Sequence, residues 1–182
     1  MLKRGVYAAS LSVLNKDLTL NVEATISHAE NLIKNGLHGC FFFGSTGMSQ
    51  LISKNEKMEL ISKISTHKQR KHFYLGTGCN SLNENIELIK YASEFNFNTI
   101  LLMPSAYYVG NSDEGVFKFY KKIILACPKI KIVIYNFQKL SGYIFSIDAI
   151  TKLVKSFPKN IIGVKDSSYN LYENLKIKNF LI

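Results

Sequence analysis

The sequence predicts an α/β fold in which helices cover a parallel sheet. Short apolar runs alternate with longer amphipathic runs along the whole chain, which is the pattern of repeated βα units. The short runs are almost wholly apolar, as strands are when a parallel sheet buries both of their faces. Six such units in 182 residues give roughly 30 residues each, the size of one βαβ step.

The six strands are predicted from runs of four to six mainly apolar residues, separated by polar or glycine-containing segments. Pro104 ends the fourth run, because proline lacks the N–H group that a central strand needs. In chain order the predicted strands are 5–10, 39–43, 73–76, 99–103, 131–135 and 161–165.

The six helices are predicted from apolar residues at helical spacing between start and stop signals. Ser53 and Ser81 each have a glutamate three residues further on, the spacing of a capping box. Gly36, Pro128 and Pro158 end three of the amphipathic runs. In chain order the predicted helices are 21–35, one beginning at 53, 81–95, 113–127, 146–157 and 168 to about 179.

Composition excludes several classes of protein. A chain that is 47% hydrophobic with a mean hydropathy of +0.03 buries a core and is not expected to be disordered. The densest apolar runs, 40–43 and 100–103, are far shorter than the roughly 18 residues of a membrane helix, so no membrane partner is expected. The three cysteines are scattered without CxxC spacing, which argues against disulfides and zinc and favours a cytoplasmic location.

The net charge of +10 raises the possibility of nucleic-acid binding. The densest positive patch, Lys68 to Lys71, is short, and the other lysines lie singly among polar helix positions. A solvated basic surface is therefore the preferred interpretation, and no nucleic-acid partner is expected. Such a surface also favours acidic substrates.

Two architectures fit six βα units: an open doubly wound sheet and a (β/α)8 barrel. A dinucleotide-binding sheet needs a glycine-rich turn after its first strand, yet 10–20 contains no glycine. A nucleotide cofactor of that kind is therefore not expected. In both architectures the site lies where the strands end, so the residues that follow each strand are the candidates.

Lys165 is the strongest candidate for a catalytic residue, because it follows the apolar run 161–164. A lysine that ends a buried strand loses solvation, which favours a neutral amine able to form a Schiff base with a carbonyl carbon. Tyr135 ends the neighbouring predicted strand, and its phenol could move a proton to or from such an adduct. The structural alternatives are a lysine that reaches water or pairs with Asp166, and a tyrosine that is simply packed.

The turn from Gly44 to Gly47 offers two hydroxyls, Ser45 and Thr46, after the second strand. Backbone N–H groups and hydroxyls in such a turn can hold a carboxylate. The alternative is an ordinary strand-to-helix turn with capping residues. No group of residues has the spacing of a metal site.

Taken together, these segments resemble the pyruvate-dependent class I aldolase family that contains dihydrodipicolinate synthase and N-acetylneuraminate lyase. The matching segments are 44–47, Tyr107-Tyr108 with Glu114-Gly115, Tyr135-Asn136, Leu140-Ser141-Gly142 and 163–168. The resemblance implies a (β/α)8 barrel assembled as a homotetramer, with no cofactor and no metal. A complete barrel takes about 250 residues, so 1–182 is expected to be one partial barrel without strands 7 and 8 and the C-terminal helices.

The resemblance also implies roles for individual residues. Lys165 would form the Schiff base with pyruvate, and Tyr135 would shuttle protons. Ser45, Thr46 and Gly47 would hold the pyruvate carboxylate. The remaining predicted substrate-binding residues are Tyr108, which the family often inserts into a neighbouring subunit, and Ser141.

The segment after Tyr135-Asn136 bears on the substrate. The synthase branch of the family usually has arginine where this chain has Leu140. The sequence therefore favours a lyase on N-acetylneuraminate or another 2-keto-3-deoxy sugar acid, with pyruvate and a sugar-derived aldehyde as partners. The alternatives are 4-hydroxy-tetrahydrodipicolinate synthase and an inactive remnant of the family.

Overall fold

The computed structural model describes residues 2–169, and these contain one six-stranded sheet. Every neighbouring pair of strands is parallel. In chain order the strands are Tyr7–Ala9 (β1), Gly39–Phe42 (β2), Phe73–Gly76 (β3), Thr99–Leu102 (β4), Lys131–Asn136 (β5) and Ile161–Asp166 (β6). Each lies within one residue of its predicted run except β1, which is shorter at its start.

The strand order decides between the two architectures. The strands lie side by side in the order β1-β2-β3-β4-β5-β6, whereas a doubly wound sheet reverses its order at a switch point. A sheet whose strands follow chain order without reversal is the arc of a (β/α)8 barrel. The described residues therefore form six of the eight strands of such a barrel, as predicted.

Six helices connect or follow the strands within the described residues. They are Val22–Lys34 (α1), Lys54–Ser65 (α2), Leu82–Glu94 (α3), Asp113–Ala126 (α4), Gln138–Ser141 (α5) and Ile147–Ser156 (α6). The one-turn helix α5 and two short 3₁₀ turns, Ser49–Leu51 and Arg70–His72, are not predicted from the sequence. The helix predicted from 168 to about 179 lies outside the described residues.

Side-chain caps explain where the helices start. Ser53 and Glu56 form the predicted capping box at α2, in which each side chain binds the other residue's backbone N–H. Ser81 accepts a hydrogen bond from the Glu84 N–H at the start of α3. Ser146 caps α6 in the same way. Such caps each contribute about 1 kcal/mol.

The main core lies between the sheet and the helices, where β2, β3 and β5 supply large side chains such as Phe42, Phe73 and Ile132. A smaller cluster of Leu101, Val133 and Tyr135 lies on the other face of the sheet, which is the inside of the barrel. The candidate residues Ser45, which follows β2, and Tyr135, near the end of β5, meet on this inner face. Within residues 2–169, no helix is long and apolar enough to cross a membrane.

Candidate active site

Tyr135 and Lys165 occupy paired positions on β5 and β6. Paired residues of neighbouring strands project from the same face of a sheet. The Lys165 Nζ atom lies 4.0 Å from the centroid of the Tyr135 ring. Tyr135 is buried and Lys165 is half-buried. The two predicted catalytic residues therefore lie side by side at the carboxyl ends of β5 and β6.

The turn after β2 brings Ser45 to the same place. Its Oγ lies 2.7 Å from the Tyr135 hydroxyl, and either oxygen can donate the hydrogen bond. This contact spans 90 residues of sequence and is made because parallel strands end at a common edge. Ser45, Tyr135 and Lys165 therefore form a connected group of a hydroxyl, a phenol and an amine.

Gly47 allows the turn to pack closely against the end of β1. A Cβ atom at this position would lie 2.7 Å from the Ser10 carbonyl oxygen, which only a residue without a side chain avoids. The Ser12 hydroxyl donates a 2.6 Å hydrogen bond to the Gly47 carbonyl oxygen. Gly47 thus fixes the turn that presents Ser45, while Thr46 is exposed on the same turn.

A cavity of about 230 Å³ lies beside this group. Ser45, Tyr135, Gly78 and Leu140 contribute to its wall, which is otherwise mainly apolar. Lys165 lies beside the cavity rather than in its wall, with Nζ against the Tyr135 ring. The volume suits a small organic acid rather than a nucleotide.

A hydrogen bond between an amide and a carboxylate holds the ends of β5 and β6 together. This contact is not predicted from the sequence. Asn136 Nδ2 donates a 3.1 Å hydrogen bond to Asp166 Oδ2, and Asn136 Oδ1 accepts one from the Phe145 N–H. The other carboxylate oxygen of Asp166 accepts from the Ser168 N–H. Among the residues described, Asp166 makes no ion pair with Lys165, so the lysine amine is left facing Tyr135.

The signal for this contact is present in the sequence, since Asn136 and Asp166 directly follow Tyr135 and Lys165. Residues at adjacent positions of paired strands are themselves paired, and the register joins Asn136 to Asp166. A polar pair next to a reactive pair therefore fixes the relative position of both strands.

A buried lysine, also not predicted, supports the cavity from outside. Lys57 on α2 is 2% exposed, and its Nζ donates a 3.2 Å hydrogen bond to the Gly78 carbonyl oxygen. Its Nζ also lies 3.8 Å from the Cys79 Sγ. Burial lowers the pKa of the Lys57 amine and raises the pKa of the Cys79 thiol. Lys57 therefore positions Gly78, whose φ of +56° turns the chain beside the cavity.

Two predicted substrate-binding residues lie apart from this group. Tyr108 is 79% exposed on the loop between β4 and α4. Ser141 is fully buried in α5, where its hydroxyl lies 2.9 Å from the Tyr143 carbonyl oxygen and 3.1 Å from that of Phe137 and can donate to one of them. Their predicted roles remain predictions. Within residues 2–169, no three His, Cys, Asp or Glu side chains gather as metal ligands would.

The chain is similar to known proteins along almost its whole length. The model of the dihydrodipicolinate synthetase family matches residues 2–181. A 4-hydroxy-tetrahydrodipicolinate synthase of Halalkalibacterium halodurans is 31% identical over 167 residues, which are 91% of this chain and 55% of that protein. A 2-dehydro-3-deoxy-phosphogluconate/2-dehydro-3-deoxy-6-phosphogalactonate aldolase of Sulfurisphaera tokodaii is 28% identical over 168 residues, covering 92% of this chain and 56% of the aldolase.

The solved structures agree with the fold. The crystal structure of dihydrodipicolinate synthase from Agrobacterium tumefaciens matches with a TM-score of 0.91 and 25% identity, covering 98% of this chain and 63% of that one. The chain thus spans little more than half the length of the relatives that it matches. The predicted family is confirmed by a match that runs through almost every residue, and the chain belongs to the dihydrodipicolinate synthetase family.

Proposed function

We propose that Lys165 forms a Schiff base with pyruvate and that the protein is a class I aldolase or lyase. The observation that supports this most directly is the connected group of the Lys165 amine, the Tyr135 phenol and the Ser45 hydroxyl beside a small cavity. An amine next to two groups that can pass a proton is what imine chemistry requires.

In the first step the Lys165 nitrogen attacks the 2-oxo carbon of pyruvate, and a new C–N bond forms. The carbonyl oxygen takes up a proton and later leaves as water, which gives the protonated imine. Tyr135 is the group that supplies and recovers these protons, because its ring lies against the amine and its hydroxyl is hydrogen-bonded to Ser45. Ser45 and Thr46, with the backbone of Gly47, would hold the carboxylate.

The protonated imine then serves as the electron sink for carbon–carbon chemistry. In the cleavage direction Lys165 forms the imine with the 2-oxo carbon of the sugar acid. Tyr135 then takes the proton of the C4 hydroxyl as the C3–C4 bond breaks. The electrons of that bond pass to the imine nitrogen, and C4 leaves as the carbonyl carbon of an aldehyde. The resulting enamine is protonated at carbon, and water releases pyruvate from Lys165. Condensation follows the same steps in reverse, so one residue set serves both directions.

The substrate class proposed is N-acetylneuraminate or another 2-keto-3-deoxy sugar acid. Leu140 lies in the wall of the cavity, where the synthase branch of the family is expected to carry arginine. An apolar side chain there removes a cation that would bind a second carboxylate. The synthase reaction is the alternative, and the relatives named above include both a synthase and a sugar-acid aldolase.

The exposed Tyr108 is proposed to complete the site of a neighbouring copy in a homotetramer. Its ring stands 79% exposed next to that of Tyr107, which is 82% exposed. Adjacent exposed aromatic rings on a loop that borders the cavity are typical of residues that contact a partner.

The test of substrate class measures pyruvate released from N-acetylneuraminate and from 2-keto-3-deoxygluconate. Pyruvate consumption with aspartate semialdehyde is measured in parallel, and Lys165→Ala serves as the control. Release from a sugar acid that Lys165→Ala abolishes is expected. Turnover only with the semialdehyde would favour the synthase, and no reaction by well-folded protein would favour the inactive remnant.

A further inference from the structure

The basic segment Lys68 to Lys71 lies at the opposite end of the sheet from Ser45 and Tyr135. Its last two residues are part of the 3₁₀ turn Arg70–His72, which comes directly before β3. It therefore lies where the strands begin, whereas the site described above lies where they end. The reaction proposed above makes no use of this end of the sheet.

The basic segment and the loop before β4 together line a cavity of about 480 Å³. Cations, amides and aromatic rings make up its wall, including Lys68, Arg70, Lys71, Tyr74, Phe97 and Asn98. No carboxylate lines it among the residues that the structure describes. A concave site of this volume with a one-sided charge favours an anionic ligand of small-metabolite size.

Arg70 is held in place but keeps donor capacity. Its guanidinium lies 5.0 Å from the centroid of the Phe97 ring and donates to the Phe95 carbonyl oxygen. The Nε atom is buried and has no hydrogen-bond partner among residues 2–169. Buried donors are seldom left unpaired, so a turn of the guanidinium toward a bound anion would relieve this cost.

The two lysines leave positive charge available. Lys68 Nζ lies 3.8 Å from the Glu30 carboxylate, and the Lys68 side chain is 75% exposed. Such surface pairs contribute little. Lys71 is exposed and makes no ion pair within the described part of the chain. An anion in the cavity would therefore meet the Arg70 guanidinium, once turned toward it, and the ammonium of Lys71, which makes no ion pair within residues 2–169.

We propose that this cavity binds a phosphorylated small molecule. Arg70 and Lys71 hold the phosphate, because guanidinium and ammonium groups supply charge-assisted hydrogen bonds to its oxygens. The organic part lies beside Tyr74 and within reach of the Asn98 amide. The site is separate from the Schiff-base group, so it does not depend on the proposed reaction.

Isothermal titration with inorganic phosphate and with glucose 6-phosphate tests this site. Ionic strength is kept constant with chloride, so that general screening does not change during the titration. Lys71→Gln is the main variant, since its side chain is exposed and replacing it leaves the core intact. Lys122→Gln, an exposed lysine on α4, is the matched control.

Saturable binding is expected, tighter for the sugar phosphate because Tyr74 and the Asn98 amide contact its sugar. Lys71→Gln should weaken it about tenfold, the effect of removing one charge-assisted hydrogen bond, and Lys122→Gln should leave it unchanged. Arg70→Gln should weaken it at least as much, provided that circular dichroism shows a native fold. No saturable binding, or equal weakening by Lys71→Gln and Lys122→Gln, would overturn the proposal.

Discussion

The Lys165 amine lies 4.0 Å from the centroid of the Tyr135 ring, and the two residues are direct partners across β5 and β6. The register of the two strands therefore fixes the distance between the proposed nucleophile and the proposed proton shuttle. A shift of one residue would move Lys165 to the other face of the sheet. The polar contact between Asn136 and Asp166 lies at the next pair and opposes such a shift.

Tyr135→Phe tests the phenol as a proton shuttle. The ring and its contact with Lys165 are retained, but the hydroxyl that binds Ser45 is lost. We expect imine formation with pyruvate to slow by about 10²-fold or more, the usual effect of a general acid–base group. The rate of borohydride trapping at fixed pyruvate measures it. Tyr91→Phe, a change on α3 away from the site, is the control, and equal rates in both variants would remove Tyr135 from the mechanism.

Asn136→Ala tests the contact between the strand ends. Asn136 is 1% exposed, and its amide bonds to both Asp166 and the Phe145 N–H. Removing it leaves buried partners unsatisfied, which costs about 1–3 kcal/mol of the free energy of unfolding. Urea denaturation measures the loss. Asn83→Ala, at an exposed position of α3, should change stability by less than about 0.5 kcal/mol, and a similar small change in Asn136→Ala would contradict the account.

Gly47→Ala tests the close approach of the turn to β1. The new Cβ would lie 2.7 Å from the Ser10 carbonyl oxygen, so the backbone must move. We expect a loss of about 1–3 kcal/mol, as for other overpacked sites. Gly44→Ala on the same turn is the matched control, since a Cβ there meets nothing within 4 Å. Equal thermal stability of the two variants would show that the turn is not constrained at Gly47.

The buried thiol of Cys40 predicts a loss of stability at alkaline pH. Burial raises the pKa of this thiol from 9.0 to about 11. Between these values the unfolded chain releases a proton that the folded chain retains, so stability falls as the pH rises through this window and is unaffected below it. The loss should reach about 2 kcal/mol.

Cys40→Ala removes this contribution. The variant should lose less stability than the parent chain between pH 9 and pH 11, as measured by urea denaturation at each pH. Its lower stability at neutral pH, which follows from the smaller side chain, does not affect the comparison of slopes. Parallel pH profiles for the two proteins would contradict a buried, protonated thiol.

Periodicity and capping residues are enough to predict the strands and most helices, because apolar spacing and caps act locally. Ser45, Tyr135 and Lys165 are also predictable, since each lies at or just after the end of a strand and parallel strands end together. The bond between Ser45 and Tyr135 depends on the path of the turn, and the spacing of residues does not give that path. Lys57 lies at helical spacing from the buried Leu60, Ile61 and Ile64, so the period of the helix places it on the buried face. It is not predicted, because a lysine is usually assigned to the solvated face of a helix. The short helix α5 was missed because four residues carry no period.

Mapping the residue that carries the pyruvate adduct tests whether Lys165 is the nucleophile. The protein is treated with pyruvate and borohydride, digested, and mapped by mass spectrometry, with Lys165→Arg and untreated protein alongside. We expect a reduced pyruvate adduct on the peptide that contains Lys165, and no adduct in Lys165→Arg. A folded protein that carries no adduct, or carries it on another lysine, would contradict the claim.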